Sequence, residues 1–149
     1  MIKSLLSLAV KYLSKKDYSQ ESLRKKLSVH CDSNSDIDDV IEYLKTKGFV
    51  SDKRFVDNII DKYSTNYGYC FITNLLKNNG VDSDLFLERI SFLKNSEFDR
   101  ACSLMIRKFP KGVSSDIKSY YKYARFLSNR GFTRDVVYKV IKATSISID

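Results

Sequence analysis

Apolar residues recur along the chain at the i, i+3, i+4, i+7 spacing that places side chains on one face of an α-helix. About nine segments show this spacing, and each has the length of an ordinary globular helix. The pattern therefore predicts an all-α protein. The predicted core-facing residues are, in chain order, Leu5, Ala9, Tyr12 and Leu13; Leu23 and Leu27; Ile37, Val40, Ile41 and Leu44; Phe55, Val56, Ile59, Ile60 and Tyr63; Ile72, Leu75 and Leu76; Phe86, Ile90 and Leu93; Phe98, Ala101, Cys102, Met105, Ile106 and Phe109; Ile117, Tyr120, Tyr121, Ala124 and Leu127; and Val137, Val140 and Ile141.

Three junctions between the predicted helices share the phrase Leu-x-x-x-Gly-apolar, at residues 44–49, 76–81 and 127–132. The glycine of each phrase is predicted to take a positive φ and to end the preceding helix. Polar residues that follow are predicted N-caps, because their side-chain oxygens can accept hydrogen bonds from the first free backbone amides. These caps are Ser51, Asp82 and Thr133, and apolar residues flank each one as in a hydrophobic staple.

The chain also repeats itself over a longer distance. Residues 80–90 align with residues 131–141 at an offset of 51, with glycine, an apolar residue, a cap, aspartate and isoleucine in register. Residues 36–44 resemble residues 83–93. The nine helices thus group into three predicted three-helix repeats at residues 1–50, 51–95 and 96–149. Units this small bury little apolar surface alone, so we expect them to stack into an elongated, curved array.

Composition and charge narrow the possible functions. One proline and five glycines among 149 residues are too few for a β-sandwich rich in turns, and 43% apolar residues argue against disorder. The net charge of +8 is uneven, since residues 101–149 carry ten Lys or Arg against three Asp or Glu, whereas residues 1–100 carry 16 against 15. This distribution favours an acidic partner for the last third of the chain. A basic surface that serves only solubility is the alternative.

The chemistry-bearing residues do not form a catalytic or metal-binding pattern. Cys31, Cys70 and Cys102 are widely separated and His30 is the single histidine, so neither zinc ligation nor a disulfide framework is expected. The chain has no phosphate loop and no hydrolase or metalloprotease motif. We therefore expect a protein that is not an enzyme and needs no cofactor. Its first segment reads as a helix and no run is long enough to span a membrane, so a soluble, cytoplasmic protein is expected.

Basic residues supply the best candidates for a binding surface. Arg24 and Lys25 belong to a cluster around the first two helices, and Arg130 lies in the basic last third. On the helix predicted after Asp116, a stripe of Lys118, Lys122 and Arg125 is expected beside an apolar face. That face is predicted to carry Ile117, Tyr121 and Ala124. Among the aromatic residues, Tyr67 and Tyr69 are expected to be the most exposed.

Two phrases of the sequence follow a pattern found in a known protein family. The first phrase comprises Glu21, Leu23, Arg24, Lys26 and Leu27 in a Ser-capped second helix. The second is the junction from Gly48 to Phe55, which follows the pattern G-[FY]-[LIV]-[DS]-D-x-[RK]-[FY] and includes Arg54. With these phrases the sequence resembles the RecX family, whose members regulate the recombinase RecA. Residues 67–86 and 123–141 resemble later parts of the family in the correct order, so the resemblance covers nearly the whole chain.

This resemblance implies three tandem three-helix repeats, no enzymatic activity and binding along the groove of the RecA-DNA filament. It also implies restraint of ATP hydrolysis, strand exchange and co-protease action, by a protein that we expect to be a monomer.

Two departures from the family pattern are visible. No glycine follows the second helix, and the fifth helix has no charge from Tyr69 to Asn74, so contacts there would come from these two side chains.

The leading hypothesis is a modulator of the RecA nucleoprotein filament. The alternatives are a helical protein that binds single- or double-stranded DNA independently of RecA, and a scaffold whose basic face only aids solubility. No contact with a membrane is expected. The partner-binding candidates are Arg24, Lys25, Arg54, Tyr69, Lys118, Lys122, Arg125 and Arg130.

Overall fold

A computed structural model describes residues 2–114 and 116–146, and helices dominate these residues. The prediction of an all-helical fold is confirmed. The α-helices are α1 (Ile2–Lys15), α2 (Gln20–Ser28), α3 (Asn34–Thr46), α4 (Asp52–Tyr63), α5 (Tyr69–Asn78), α6 (Leu87–Asn95), α7 (Glu97–Lys108), α8 (Ile117–Asn129) and α9 (Arg134–Thr144).

Two short non-α elements were not predicted from the sequence. A 3₁₀-helix spans Ser83–Leu85 and precedes α6. Strands β1 (Val113–Ser114) and β2 (Ser145–Ile146) form a two-residue parallel pair, with Val113 opposite Ser145. Strands this short show no alternation of apolar and polar residues, so periodicity cannot reveal them.

The chain divides into two compact units, each with its own core. One unit contains the described residues of Met1–Asn58 together with Leu76–Phe86, and the other contains Ile59–Leu75 together with the described residues of Leu87–Asp149. Helices α1, α2 and α3 pack together in the first unit, around Leu5, Ala9, Leu23, Leu27, Ile37, Val40, Ile41 and Leu44. Helices α7, α8 and α9 pack together in the second unit, around Ala101, Leu104, Met105, Val113, Tyr123, Leu127, Val137, Val140 and Ile141.

The buried stripe of α7 differs from the predicted one. Leu104 is buried, whereas Ile106 is 63% exposed and Phe98 is also exposed. Because α7 packs against α9, its buried face is centred on Ala101 and Met105. The expected core positions of Ile106 and Phe98 are therefore wrong.

The three Leu-x-x-x-Gly phrases form one type of helix end. In the first, the N–H of Phe49 donates to the carbonyl of Leu44 at 2.9 Å, and the N–H of Gly48 donates to the carbonyl of Lys45 at 3.1 Å. These two bonds define a Schellman motif, whose glycine takes a left-handed conformation. The same pair of bonds closes α5 at Gly80 and α8 at Gly131. The φ angles are +78° at Gly48, +68° at Gly80 and +87° at Gly131, as predicted.

The predicted N-caps give mixed results. The Ser51 hydroxyl accepts from the backbone N–H of Arg54 at 3.2 Å, which confirms that cap. Asp82 caps the 3₁₀-helix, through the N–H of Asp84, rather than α6. Thr133 precedes α9, but its side chain makes no capping bond, so that part of the prediction is wrong.

In the first unit, the C-terminal end of α5 lies against the N-terminal end of α2. The hydroxyl of Ser19 donates to the carbonyl of Asn79 at 2.6 Å and accepts from the N–H of Ser22 at 3.0 Å. A Cβ on Gly80 would lie 2.6 Å from the Cβ of Glu21. The carboxylate of Asp52 accepts from the N–H of Gln20 at 2.8 Å. We call this contact the first joint.

In the second unit, the C-terminal end of α8 lies against the N-terminal end of α5. The N–H of Gly68 donates to the carbonyl of Arg130 at 2.7 Å. A Cβ on Gly68 would lie 2.3 Å from the carbonyl oxygen of Gly131, and a Cβ on Gly131 would lie 2.5 Å from the nitrogen of Phe71. We call this contact the second joint.

Candidate partner-binding surface

The predicted basic stripe lies on the exposed side of α8. Lys118, Lys122 and Arg125 are all exposed, as their i, i+4, i+7 spacing requires for one face. Lys122 also lies near the rings of Phe109 and Tyr123, with its Nζ 6.0 and 5.7 Å from their centroids. The stripe therefore presents three cations on one helical face.

Two apolar side chains share that exposed face, contrary to the prediction. Ile117 is 77% exposed and Tyr121 is 64% exposed, while Tyr123 and Leu127 are buried. Aromatic residues occupy consecutive positions on α8. Two different faces of the helix therefore match the apolar spacing, and the sequence does not show which of them is buried. We define the α8 face as Ile117, Lys118, Tyr121, Lys122 and Arg125.

Asp116 caps the N-terminal end of α8, where the α8 face begins. Its carboxylate accepts from the N–H of Ser119 at 2.8 Å and from the hydroxyl of Ser114 at 2.6 Å. Hydrogen bonds from these two serines lower the pKa of the Asp116 carboxyl. The carboxylate also lies at the positive end of the helix dipole, which favours its charged form.

Three other arginine candidates have partners within the protein. The Arg24 guanidinium pairs with the carboxylate of Asp38. Arg54 donates from Nη1 to the carbonyl of Gly48 at 3.0 Å, and so binds the end of α3. Arg130 donates from Nη1 to the carbonyl of Asn66 at 3.2 Å. Its guanidinium also lies 5.1 Å from the ring centroid of Tyr67 and 4.9 Å from that of Phe126.

The remaining two candidates differ in exposure. Lys25 is exposed on α2. Tyr69 is half-buried at the start of α5, with the Nζ of Lys94 4.9 Å from its ring centroid. Tyr67 is also half-buried and stacks on Phe71 at a centroid distance of 4.2 Å. The expectation that Tyr67 and Tyr69 are the most exposed aromatic residues is therefore wrong.

Sequence reasoning missed a cluster of arginines around the loop at residues 64–68. Arg100 donates from Nη1 to the carbonyls of Ser64 and Tyr67, at 2.6 and 2.7 Å, and from Nη2 to the carbonyl of Leu93 at 2.7 Å. Arg107 donates to the carbonyl of Thr65 at 2.9 Å. The bonds to Ser64, Thr65 and Tyr67 satisfy carbonyls that follow α4, and the bond to Leu93 connects the same guanidinium of Arg100 to α6. Burial lowers the pKa of Arg100, and the charge of Glu97 opposes that change.

Glu97 is a buried acidic residue of the second unit, with only 1% of its surface exposed. Its carboxylate accepts from the N–H of Thr133 at 3.1 Å, at the N-terminal end of α9. Burial raises the pKa of the Glu97 carboxyl. Hydrogen bonds from the backbone of Thr133 and Tyr69, and the positive charge of Arg100, partly oppose this rise.

The described residues contain no group of three or more His, Cys, Asp or Glu side chains arranged to hold a metal ion. Across residues 2–114 and 116–146, no helix is both long and apolar enough to cross a membrane. The fold and the α8 face thus define an all-helical protein whose candidate site is an exposed cationic surface.

Comparison with known proteins identifies the family. A family model described as "RecX, third three-helix domain" matches residues 95–141. A protein of Legionella pneumophila named "Regulatory protein RecX" is 32% identical over 140 residues, which cover 93% of each chain. A protein of Leptothrix cholodnii with the same name is 30% identical over 93% of this chain and 88% of its own. The chain belongs to the RecX family.

A solved structure shares the fold. The crystal structure of RecX from Lactobacillus salivarius matches with a TM-score of 0.74 and 18% sequence identity, over 95% of each chain. An identity this low supports the fold alone.

Proposed function

We propose that this protein is a regulator without enzymatic activity that binds in the groove of the RecA-DNA filament. In this role it modulates, and mostly inhibits, the ATPase, strand-exchange and co-protease activities of RecA, as a monomer in the bacterial cytoplasm. Its membership of a family whose relatives are named regulatory proteins supports a regulatory role. The α8 face is the observation that carries the proposal of a filament contact.

Charge supports the choice of this face. The second unit carries 14 Lys or Arg against seven Asp or Glu, whereas the first unit carries 12 against 11. A cationic surface accelerates encounter with an acidic filament and its DNA. Ile117 and Tyr121 add apolar contact area beside the cations, as in protein interfaces where aromatic residues and arginine are enriched.

The test is ATP hydrolysis by RecA on single-stranded DNA, with this protein added at substoichiometric and equal amounts and with DNA in excess. We expect inhibition at substoichiometric amounts, because a protein that binds the filament does not need to sequester the DNA. No change in hydrolysis at either amount would contradict the proposal.

A triple variant then tests the α8 face. Replacement of Lys118, Lys122 and Arg125 by glutamate is expected to abolish substoichiometric inhibition while helical circular dichroism is retained. The matched control is K3E/K11E/K15E, which reverses three exposed charges on α1. Equal losses in the two variants would show that net charge, rather than the α8 face, determines binding.

One observation favours a second candidate, a DNA-binding protein that acts independently of RecA. Exposed Tyr121 lies between Lys118 and Lys122, and an aromatic ring beside cations is typical of proteins that bind single strands. Salt distinguishes the two candidates. A phosphate binder loses affinity steeply with salt, with a log-log slope of about −0.9 per duplex phosphate contacted.

A further inference from the structure

The first unit contains a basic cleft that is separate from the α8 face. Its volume is about 510 Å³. We define the basic cleft by the residues that line it, which are Gln20, Lys45, Gly48, Val50, Ser51, Asp52, Lys53, Arg54 and Leu85. The three cations among them converge from the end of α3 and the first turn of α4, which the family junction phrase connects.

The single acidic residue in this lining is already engaged. Asp52 accepts from the N–H of Gln20 at 2.8 Å, at the N-terminal end of α2. The positive end of the helix dipole stabilises this carboxylate and offsets its charge. Lys45, Lys53 and Arg54 therefore give the basic cleft a positive potential that Asp52 does not neutralise.

The cations remain able to bind a ligand. Lys45, Lys53 and Arg54 are all exposed. Arg54 uses Nη1 on the carbonyl of Gly48, and a guanidinium has five N–H donors in all. That bond to the backbone also fixes the guanidinium at the cleft wall, which reduces the entropy lost when a carboxylate binds.

The apolar part of the lining distinguishes a peptide from a nucleic acid. Leu85 is 42% exposed at the cleft, and Val50 is buried beneath it. None of the described residues that line the cleft is aromatic, so it offers no ring on which a base would stack. A leucine side chain next to three cations suits an extended segment that alternates carboxylates with an aliphatic residue.

We propose that the basic cleft binds an acidic peptide segment of a partner protein, with its carboxylates on Lys45, Lys53 and Arg54 and an aliphatic side chain on Leu85. This inference does not depend on the α8 face or on RecA as the partner. It assigns to the family junction phrase a binding role in addition to its role in ending α3 and starting α4.

The test is a titration of the full-length protein against a short fluorescein-labelled peptide of Glu, Asp and Leu, followed by fluorescence polarisation at physiological salt. We expect saturable binding. The variant K45E/K53E is expected to weaken it roughly tenfold or more, because two attractive charges become repulsive. The matched control K11E/K15E makes the same charge change on α1 of the same unit and is expected to have little effect.

A second variant tests the apolar contact. L85S is expected to weaken the leucine-containing peptide by several fold and to leave a leucine-free Glu and Asp peptide unchanged. Because Leu85 is exposed on a 3₁₀-helix, this substitution is not expected to unfold the protein.

Three results would overturn the proposal. They are no saturable binding by the unaltered protein, an equal loss in K11E/K15E and K45E/K53E, or displacement of the peptide by a single-stranded oligonucleotide at equal concentration. The last result would identify the cleft as a phosphate site instead.

Discussion

The first and second joints make the same end-to-end contact between helices with different chemistry. In the first joint a serine side chain bridges two helices, because the hydroxyl of Ser19 both caps α2 and donates to the carbonyl of Asn79. In the second joint the backbone itself donates, from the N–H of Gly68 to the carbonyl of Arg130. The second contact is closer at the donor residue. It leaves no room for a Cβ on Gly68, whereas the donor of the first joint, Ser19, carries a side chain.

Each joint also has a carboxylate from the first residue of a later helix. Asp52 begins α4 and binds the N–H of Gln20, the first residue of α2. Glu97 begins α7, and the backbone of Tyr69, the first residue of α5, acts to lower the pKa of its carboxyl. Asp52 is half-buried and Glu97 is fully buried. The first residue of a later helix thus contributes a carboxylate to each joint, which is partly exposed in the first joint and buried in the second.

Glycine-to-alanine substitutions should give the largest difference in unfolding free energy between the two joints. At Gly131 an added Cβ would lie 2.5 Å from the nitrogen of Phe71, which is backbone and cannot rotate away. The left-handed conformation and the collision together should cost roughly 3 kcal/mol of unfolding free energy. At Gly80 the added Cβ would lie 2.6 Å from both the Cβ and the Cγ of Glu21. Only the Cγ can rotate away, so we still expect a loss, but a smaller one than at Gly131, where two of the crowded atoms belong to the backbone.

Gly48 supplies the control for this series. Its φ is +78°, yet nothing lies within 4 Å of an added Cβ. Gly48→Ala should therefore cost only the conformational term, roughly 1 to 2 kcal/mol. Urea unfolding of the three variants measures the series, and equal losses at all three positions would show that close approach contributes nothing at either joint.

Removal of the Ser19 hydroxyl should have the next largest effect on the free energy of unfolding. Ser19→Ala deletes a cap and leaves the half-buried carbonyl of Asn79 without this donor, so we expect a loss of roughly 2 kcal/mol. Ser33→Ala is the matched control, because Ser33 caps α3 through the N–H of Asp36 at 3.2 Å and is exposed. That substitution should cost about 1 kcal/mol or less. Thermal or urea unfolding that gives equal losses for the two variants would contradict a bridging role for Ser19.

The sequence predicts the helices and their ends well, because both depend on local patterns. Periodicity identifies the helices, and the Leu-x-x-x-Gly phrase predicts the positive φ at Gly48, Gly80 and Gly131. The close approach at Gly80 and Gly131 involves Glu21 and Phe71, which are 59 and 60 positions away, and leaves no local pattern. No glycine follows α2, because Val29 closes this helix in a right-handed conformation that needs no positive φ.

The candidate surface was predictable only in part. The spacing of Lys118, Lys122 and Arg125 correctly predicts one exposed stripe. The sequence does not show that Ile117 and Tyr121 share it, since that depends on how α8 turns toward α7 and α9. It also does not show that Arg54 and Arg130 bind backbone carbonyls. The sequence alone does not distinguish an arginine that faces solvent from one that donates to a carbonyl at the end of a helix.

The buried carboxylate of Glu97 predicts a pH effect on the stability of the second joint. Burial raises the folded-state pKa of Glu97 above the value of an exposed carboxyl, so the folded protein binds this proton more tightly than the unfolded chain. Stability should therefore be highest below the unfolded-state pKa and should fall as pH rises toward the folded-state pKa. Glu97→Gln mimics the protonated form and should remove this fall, whatever constant offset it introduces.

The measurement is the free energy of unfolding at a series of pH values for the unaltered protein, Glu97→Gln and Asp99→Asn. Asp99→Asn is the matched control, because it removes one charge from an exposed position of the same helix. The advantage of Glu97→Gln over the unaltered protein should grow as pH rises through this window. Curves that stay parallel would mean that the polar contacts and neighbouring positive charges of Glu97 fully offset the burial of its charge.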